Sequence, residues 1–145
     1  DFIQLHSNYF ESIKNAAEKL LGDTQFSSYD RCQKLIHFAS HELDIKIDIG
    51  REREKYGLVN YDKDKRILHL SNSLPRNSVI FQTAQIIGRF YCKNIIEDLV
   101  GTAPLTSDAS REMCRDTLVR YFTGAVLLPY EVFHSAAQSS RYDIE

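Results

Sequence analysis

Gln85 and Arg89 stand four residues apart on what reads as a long, buried helix, so the two share one face. Long polar side chains on such a helix must be hydrogen-bonded or must line a cavity. Two outcomes stay open at this point. They hydrogen-bond to a neighbouring loop or carboxylate, or they border a ligand pocket in which Arg89 holds an anionic group. His37 and His41 are also four apart, a spacing that can set two imidazoles on one metal. No Glu follows His37 and no third ligand is assigned, so a solvated helix face is the preferred reading of the pair. His69 alternates into a strand pattern, and His6 and His134 stand alone. The chain has no glycine-rich phosphate loop and no G-x-S-x-G elbow. Cys32, Cys92 and Cys114 form an odd set without C-x-x-C spacing, which argues against a disulfide framework and a zinc ribbon. Each sits beside apolar residues in a helical pattern and reads as a small buried hydrophobe in a reducing, cytoplasmic setting.

These residues need elements to hold them. Phe2, Leu5, Tyr9, Ile13, Ala16 and Leu20 recur at helical spacing, with Gly22 as a stop. Ser28 can cap a second helix whose stripe is Cys32, Leu35, Ile36, Ala39 and Leu43. The period then falls to two: Ile45, Ile47 and Ile49 alternate with Lys46 and Asp48. Two further strands are predicted, from Gly57 to Tyr61 and from Arg66 to Leu70, joined by a hairpin at Asp62-Lys-Asp-Lys65 that lacks the favoured Asn-Gly or Asp-Gly pair. Arg51-Glu-Arg-Glu-Lys55 is expected in a solvated turn. Ser73-Leu-Pro75 breaks the pattern. A helix from about Asn77 to Asp98 follows, apolar nearly all round, and Gly101 and Pro104 end it. Thr106-Ser-Asp-Ala opens another helix to about Leu127, which Pro129 closes, and Tyr130 to Ser139 make a short last one. The fold class is therefore α+β: about five helices on one face of a small three-stranded antiparallel sheet.

Hydrophobic residues are 43% and charged residues 26% of the 145, an ordinary globular balance for one domain over 1–145. A net charge of -2 supplies no basic field to hold nucleic acid by itself. The longest apolar runs, such as Ala125-Val-Leu-Leu128, are too short for a membrane span, and the start Asp1-Phe-Ile-Gln shows no basic n-region of a signal peptide. A start without Met and an end at Arg141-Tyr-Asp-Ile-Glu145 fit a domain excised from a longer protein.

Three stretches carry a resemblance. They are Arg66-Ile-Leu-His-Leu-Ser71, Phe81-Gln-Thr-Ala-Gln-Ile-Ile-Gly-Arg-Phe90 and Tyr121-Phe-Thr-Gly-Ala-Val-Leu-Leu-Pro-Tyr130. Together, over about residues 25–135, they resemble the zincin-like ImmA/IrrE-type metallopeptidase domain, whose central helix reads F-x-x-A-H-E-x-x-H. The ending, with Pro129-Tyr130, Ala136-Ala137 and Arg141-Tyr-Asp-Ile-Glu145, narrows the likeness to the sensor domain of bacterial short-chain fatty-acid regulators, the RamB/PrpR/MccR-like group. The departures are as informative. Aligned on Phe81 and Ala84, the first metal His is Gln85, the catalytic Glu is Ile86 and the second His is Arg89. The acidic third ligand falls on or near Leu118. Gln and Arg are not zinc ligands at useful affinity, and Ile86 cannot be a general base.

The resemblance implies a non-enzymatic, cytoplasmic, homodimeric sensor without a metal or cofactor. Its effector would be CoA or a short-chain acyl-CoA, and it would reach DNA only through a separate N-terminal helix-turn-helix. The implied ligand residues are Phe81, Gln85 and Arg89 from the central helix, Leu118, Arg120, Tyr121 and Phe122 from the later one, and Arg141 near the end of the sequence. Arg89, with Arg120 or Arg141, would meet phosphates. Phe81, Leu118 and Phe122 would form the acyl slot. A zinc endopeptidase using His37 and His41, or an interaction module, are the alternatives.

Overall fold

The computed structural model describes residues 7–24, 30–51, 57–102 and 107–142, and within its helices leaves aside the side chains of 7–9, 23–24 and 128–142. The elements are α1 (Ser7–Thr24), α2 (Arg31–Leu43), β1 (Lys46–Gly50), β2 (Val59–Asp62), β3 (Ile67–Ser71), α3 (Arg76–Tyr91), α4 (Lys93–Thr102) and α5 (Asp108–Tyr142). The expected α+β class holds. The chain divides into two compact units, Thr24–Tyr91 with α2, the sheet and α3, and the remainder with α1, α4 and α5.

In the sheet unit, α2 buries Arg31, Leu35 and Ala39, one residue per turn. The expected Ser28 cap lies outside the described residues. Asp44 ends the helix in the left-handed region, φ 54°, and the Ile45 N–H bonds the Ala39 carbonyl at 2.9 Å. Ile45, fully buried, then leads into β1.

The sheet order is β1-β3-β2. β2 and β3 are antiparallel, as the hairpin requires, but β1 pairs with β3 in parallel, Ile47 opposite Leu68 and Ile49 opposite Leu70. The all-antiparallel sheet read from the sequence is therefore corrected to a mixed one. The physical reason lies in β3, the most apolar strand. In the centre it gains two neighbours and buries Leu68, Leu70 and Ser71. β1 is left at an edge, and Ile49 is 45% exposed despite its place in the alternation. The hairpin forms without Asn-Gly because Asp62 Oδ1 accepts the N–H groups of Asp64 and Lys65, at 3.0 and 3.1 Å, and Arg66 takes the positive φ, 56°.

α3 is apolar nearly all round, as expected, burying Val79, Ile80, Thr83, Ala84, Ile86, Ile87 and Gly88. The Thr83 hydroxyl is satisfied by the Val79 carbonyl at 2.7 Å. The single helix expected to Asp98 is two helices, parted at Cys92, whose carbonyl accepts the Ile96 N–H at 2.9 Å. No Gly or Pro marks that break, so periodicity runs straight through it.

In the other unit, α1 buries Ile13, Ala17 and Leu20, and α4 buries Ile96, Leu99 and Val100. Gly22 does not stop α1, which runs to Thr24. α5 is capped by Ser107, whose Oγ accepts the Ser110 N–H at 3.0 Å. It buries Cys114, Leu118, Phe122 and Val126 at intervals of four. The expected closure at Pro129 does not occur: α5 continues to Tyr142. A proline removes one helical N–H bond, but its own φ is helical, so a long helix can run through it. Among the described residues no helix is long and apolar enough to cross a membrane.

Candidate functional site

The site is built where α3 faces the edge strand β2. Gln82, Gln85, Ile86 and Arg89 fall on one stripe of the helix, three or four residues apart. Opposite them stand Val59, Asn60 and Tyr61 of β2 and Leu68 of β3, enclosing an open groove of about 370 Å³. That volume lies in the range of small-molecule sites, and the lining mixes apolar walls with a few convergent polar groups. Gln85 and Arg89 are half-buried rather than sealed. The end of α3 is tied to the hairpin by aromatic contacts: Tyr61 and Phe90 meet edge-on at 5.9 Å, and the Arg66 guanidinium lies 5.1 Å from the Phe90 ring centroid.

Chemically the groove offers the amides of Gln82 and Gln85 and one guanidinium. Amides donate and accept hydrogen bonds, and Arg89 supplies a permanent cation. The lining holds no carboxylate, imidazole or thiol, so it has no strong base or nucleophile of those kinds. The arrangement is suited to binding.

Of the residues expected in a pocket, Gln85 and Arg89 are brought together here. Phe81 is not in the lining and is 41% exposed. Leu118, Arg120, Tyr121 and Phe122 belong to the other unit. Leu118 and Phe122 are fully buried and Arg120 is exposed. Tyr121 packs edge-on against Phe10 at 5.0 Å. The Arg141 side chain lies outside the described residues. Sequence reasoning missed Gln82, although it sits three residues before Gln85 on the same stripe. It also missed Asn60 and Tyr61, which strand patterning does not connect to a helix.

A second polar cluster occupies the other face of the sheet. Parallel register puts Asp48 opposite His69, and Asp48 Oδ2 is 3.0 Å from His69 Nδ1. Asn60 is opposite His69 on the other side. A smaller cavity of about 140 Å³ is lined by Asp48, Gly50, Arg51, Gly57, His69 and Ser71. The Ser71 hydroxyl is engaged locally, 2.7 Å from Ser73 Oγ and accepting the Ser73 N–H.

The cysteines follow the expectation of buried hydrophobes at two of three positions. Cys92 is buried, and burial pushes its thiol up to about 12. Burial also raises the Cys114 thiol, against a smaller opposing effect of Arg115. Cys32 is half-buried. His37 and His41 are both exposed, their rings 4.0 Å apart. Among the described residues no group of three or more His, Cys, Asp or Glu could hold a metal ion.

Comparison with known proteins adds relatives to this geometry. Residues 42–145 match the IrrE N-terminal-like peptidase domain. The whole chain is 27% identical to the HTH-type transcriptional regulator RamB and 28% identical to the regulator PrpR, both of Mycobacterium tuberculosis. It is 26% identical to the propionyl-CoA carboxylase regulator of Cereibacter sphaeroides. It spans 31% of RamB and 30% of each of the other two. A solved Mycobacterium tuberculosis transcriptional regulator superposes on 99% of the chain with a TM-score of 0.80 and 28% identity, and the match covers 44% of that regulator.

Proposed function

The chain belongs to the IrrE N-terminal-like domain family, and we propose that it is the ligand-sensing domain of a bacterial transcription regulator. Its effector is CoA or a short-chain acyl-CoA, and its output is control of acyl-CoA and short-chain fatty-acid metabolism. Three relatives with full coverage of the chain are named as regulators, one of them of propionyl-CoA carboxylase. DNA contact then belongs to a separate helix-turn-helix part of a cytoplasmic homodimer, since a two-fold operator is read by a two-fold protein.

The observation that carries this reading is the Gln85/Arg89 groove. The family's peptidase chemistry needs zinc, and the residues at that place do not fit it. Gln85 offers a neutral amide, Arg89 a cation that repels a metal, and Ile86 a buried hydrocarbon where a base is needed. The same residues fit an anionic ligand with amide groups. Arg89 pairs with phosphate or carboxylate oxygen, and Gln82 and Gln85 match amide edges.

The test is calorimetric titration with CoA, acetyl-CoA, propionyl-CoA and methylmalonyl-CoA. Saturable binding of at least one, weakened in a folded Arg89→Ala variant, is the expected result. Failure of all four to bind removes the CoA assignment. Cleavage of a peptide in a zinc-dependent way would instead return the domain to the peptidases.

A further inference from the structure

We propose that His37 and His41 form a two-imidazole site for a divalent transition-metal cation on the solvent face of α2. The site is independent of the groove and of the position on α3 where the family's peptidases carry a metal. Three observations point to it. The two rings are already together, their centroids 4.0 Å apart and their planes at 68°. Both residues are exposed, so the coordination positions that the protein does not fill are open to water. The helix that spaces them is fastened just beyond His41. The Ile45 N–H bonds the Ala39 carbonyl, and the Arg66 guanidinium donates to the carbonyls of Leu43 and Asp44.

The fastening bears on affinity. Two imidazoles one turn apart on a frayed helix must be ordered when the ion arrives. Here the backbone spacing is set beforehand and only the rings remain to be oriented, which lowers the cost of binding. A packing role for the ring contact would bury the rings, whereas both remain in solvent.

The donor type selects the ion. Neutral imidazole nitrogen suits Zn²⁺, Cu²⁺ and Ni²⁺, while Mg²⁺ and Ca²⁺ prefer oxygen. Two protein ligands are fewer than the four of a structural zinc site. The ion is therefore exchangeable, with water completing its shell. Because the unfolded chain does not hold the two rings at one turn's spacing, binding stabilises the native state.

The experiment uses the 145-residue protein purified without a histidine tag, at pH 7.5. Ni²⁺ is titrated calorimetrically and thermal unfolding is followed with Ni²⁺, Zn²⁺ or Mg²⁺. The expected result is one Ni²⁺ per chain at micromolar to sub-millimolar affinity. Melting should rise with Ni²⁺ and Zn²⁺ but not with Mg²⁺. His37→Ala and His41→Ala should each weaken binding by about tenfold or more, since each removes one of two donors. The paired change His41→Ala/Glu42→His keeps the histidine count but moves the second imidazole off the face, and should lose binding equally. Circular dichroism confirms that these exposed substitutions leave the helix intact. No Ni²⁺ binding to the parent overturns the site. So does parent-like binding by the His37→Ala/His41→Ala double variant or by the His41→Ala/Glu42→His variant.

Discussion

The guanidinium carbon of Arg66 lies 5.1 Å from the centroid of the Phe90 ring. The same guanidinium donates to the Asp44 carbonyl at 3.0 Å and to the Leu43 carbonyl. One side chain thus joins the hairpin that carries β2, the C-terminus of α2 and the last turn of α3. The two walls of the groove, β2 and α3, are held partly through it.

Arg66→Ala should therefore destabilise the protein by about 1–3 kcal/mol, because helix-end carbonyls lose charged donors. Arg66 also sits at φ 56°, where glycine is unstrained. Arg66→Gly should cost about 1 kcal/mol less than Arg66→Ala. Urea unfolding of the two variants checks the order. Equal losses would mean that backbone strain at this position is negligible.

Arg89→Ala should weaken CoA-ester binding by about 1.5–3 kcal/mol, roughly 10- to 150-fold, as a charge-assisted hydrogen bond is lost. Gln82→Ala should have a smaller effect in the same direction, since its amide is neutral. Titration calorimetry reads both. A folded Arg89→Ala variant that binds as tightly as the parent makes Arg89 structural.

Arg115 pairs with Glu97 through two contacts, at 2.8 and 3.3 Å. Its hydrogen bonds, helped by its charge and that of Lys93, outweigh desolvation and hold the Glu97 carboxyl below its usual range. A depressed folded-state pKa adds stability above the ordinary carboxylate value, and that stability is lost as pH falls through the depressed one. The pair is exposed, so Glu97→Gln should cost less than about 1 kcal/mol at pH 7. The difference from the parent should shrink as pH falls below the ordinary carboxylate value and through the depressed one. Urea midpoints across that range measure it.

The Cys92 thiol, pushed up to about 12 by burial, is neutral at pH 8. Cys114 is also buried. Both should resist a disulfide reagent in the native protein and react on addition of urea. Cys92→Ser should cost about 1–3 kcal/mol by placing a hydroxyl in an apolar site. Rapid native-state labelling of Cys92, identified by peptide mapping, would contradict the burial argument.

Much of this was legible in the residues alone. Helical spacing exposed the buried face of α2, alternation exposed the strands, and Gln85 with Arg89 stood out because two long polar groups interrupt an apolar helix. These are local properties, set by side-chain direction along a single element. Strand order was not local. β3 takes the centre because it is the most apolar of three strands, a comparison across the sheet that no single period contains. The break at Cys92 and the passage of α5 through Pro129 likewise carry no signal in spacing. The groove is the clearest case. Asn60 and Tyr61 come to line one groove with Gln82, Gln85 and Arg89 only because the hairpin places β2 beside α3, and a pairing between distant elements is decided by packing in three dimensions.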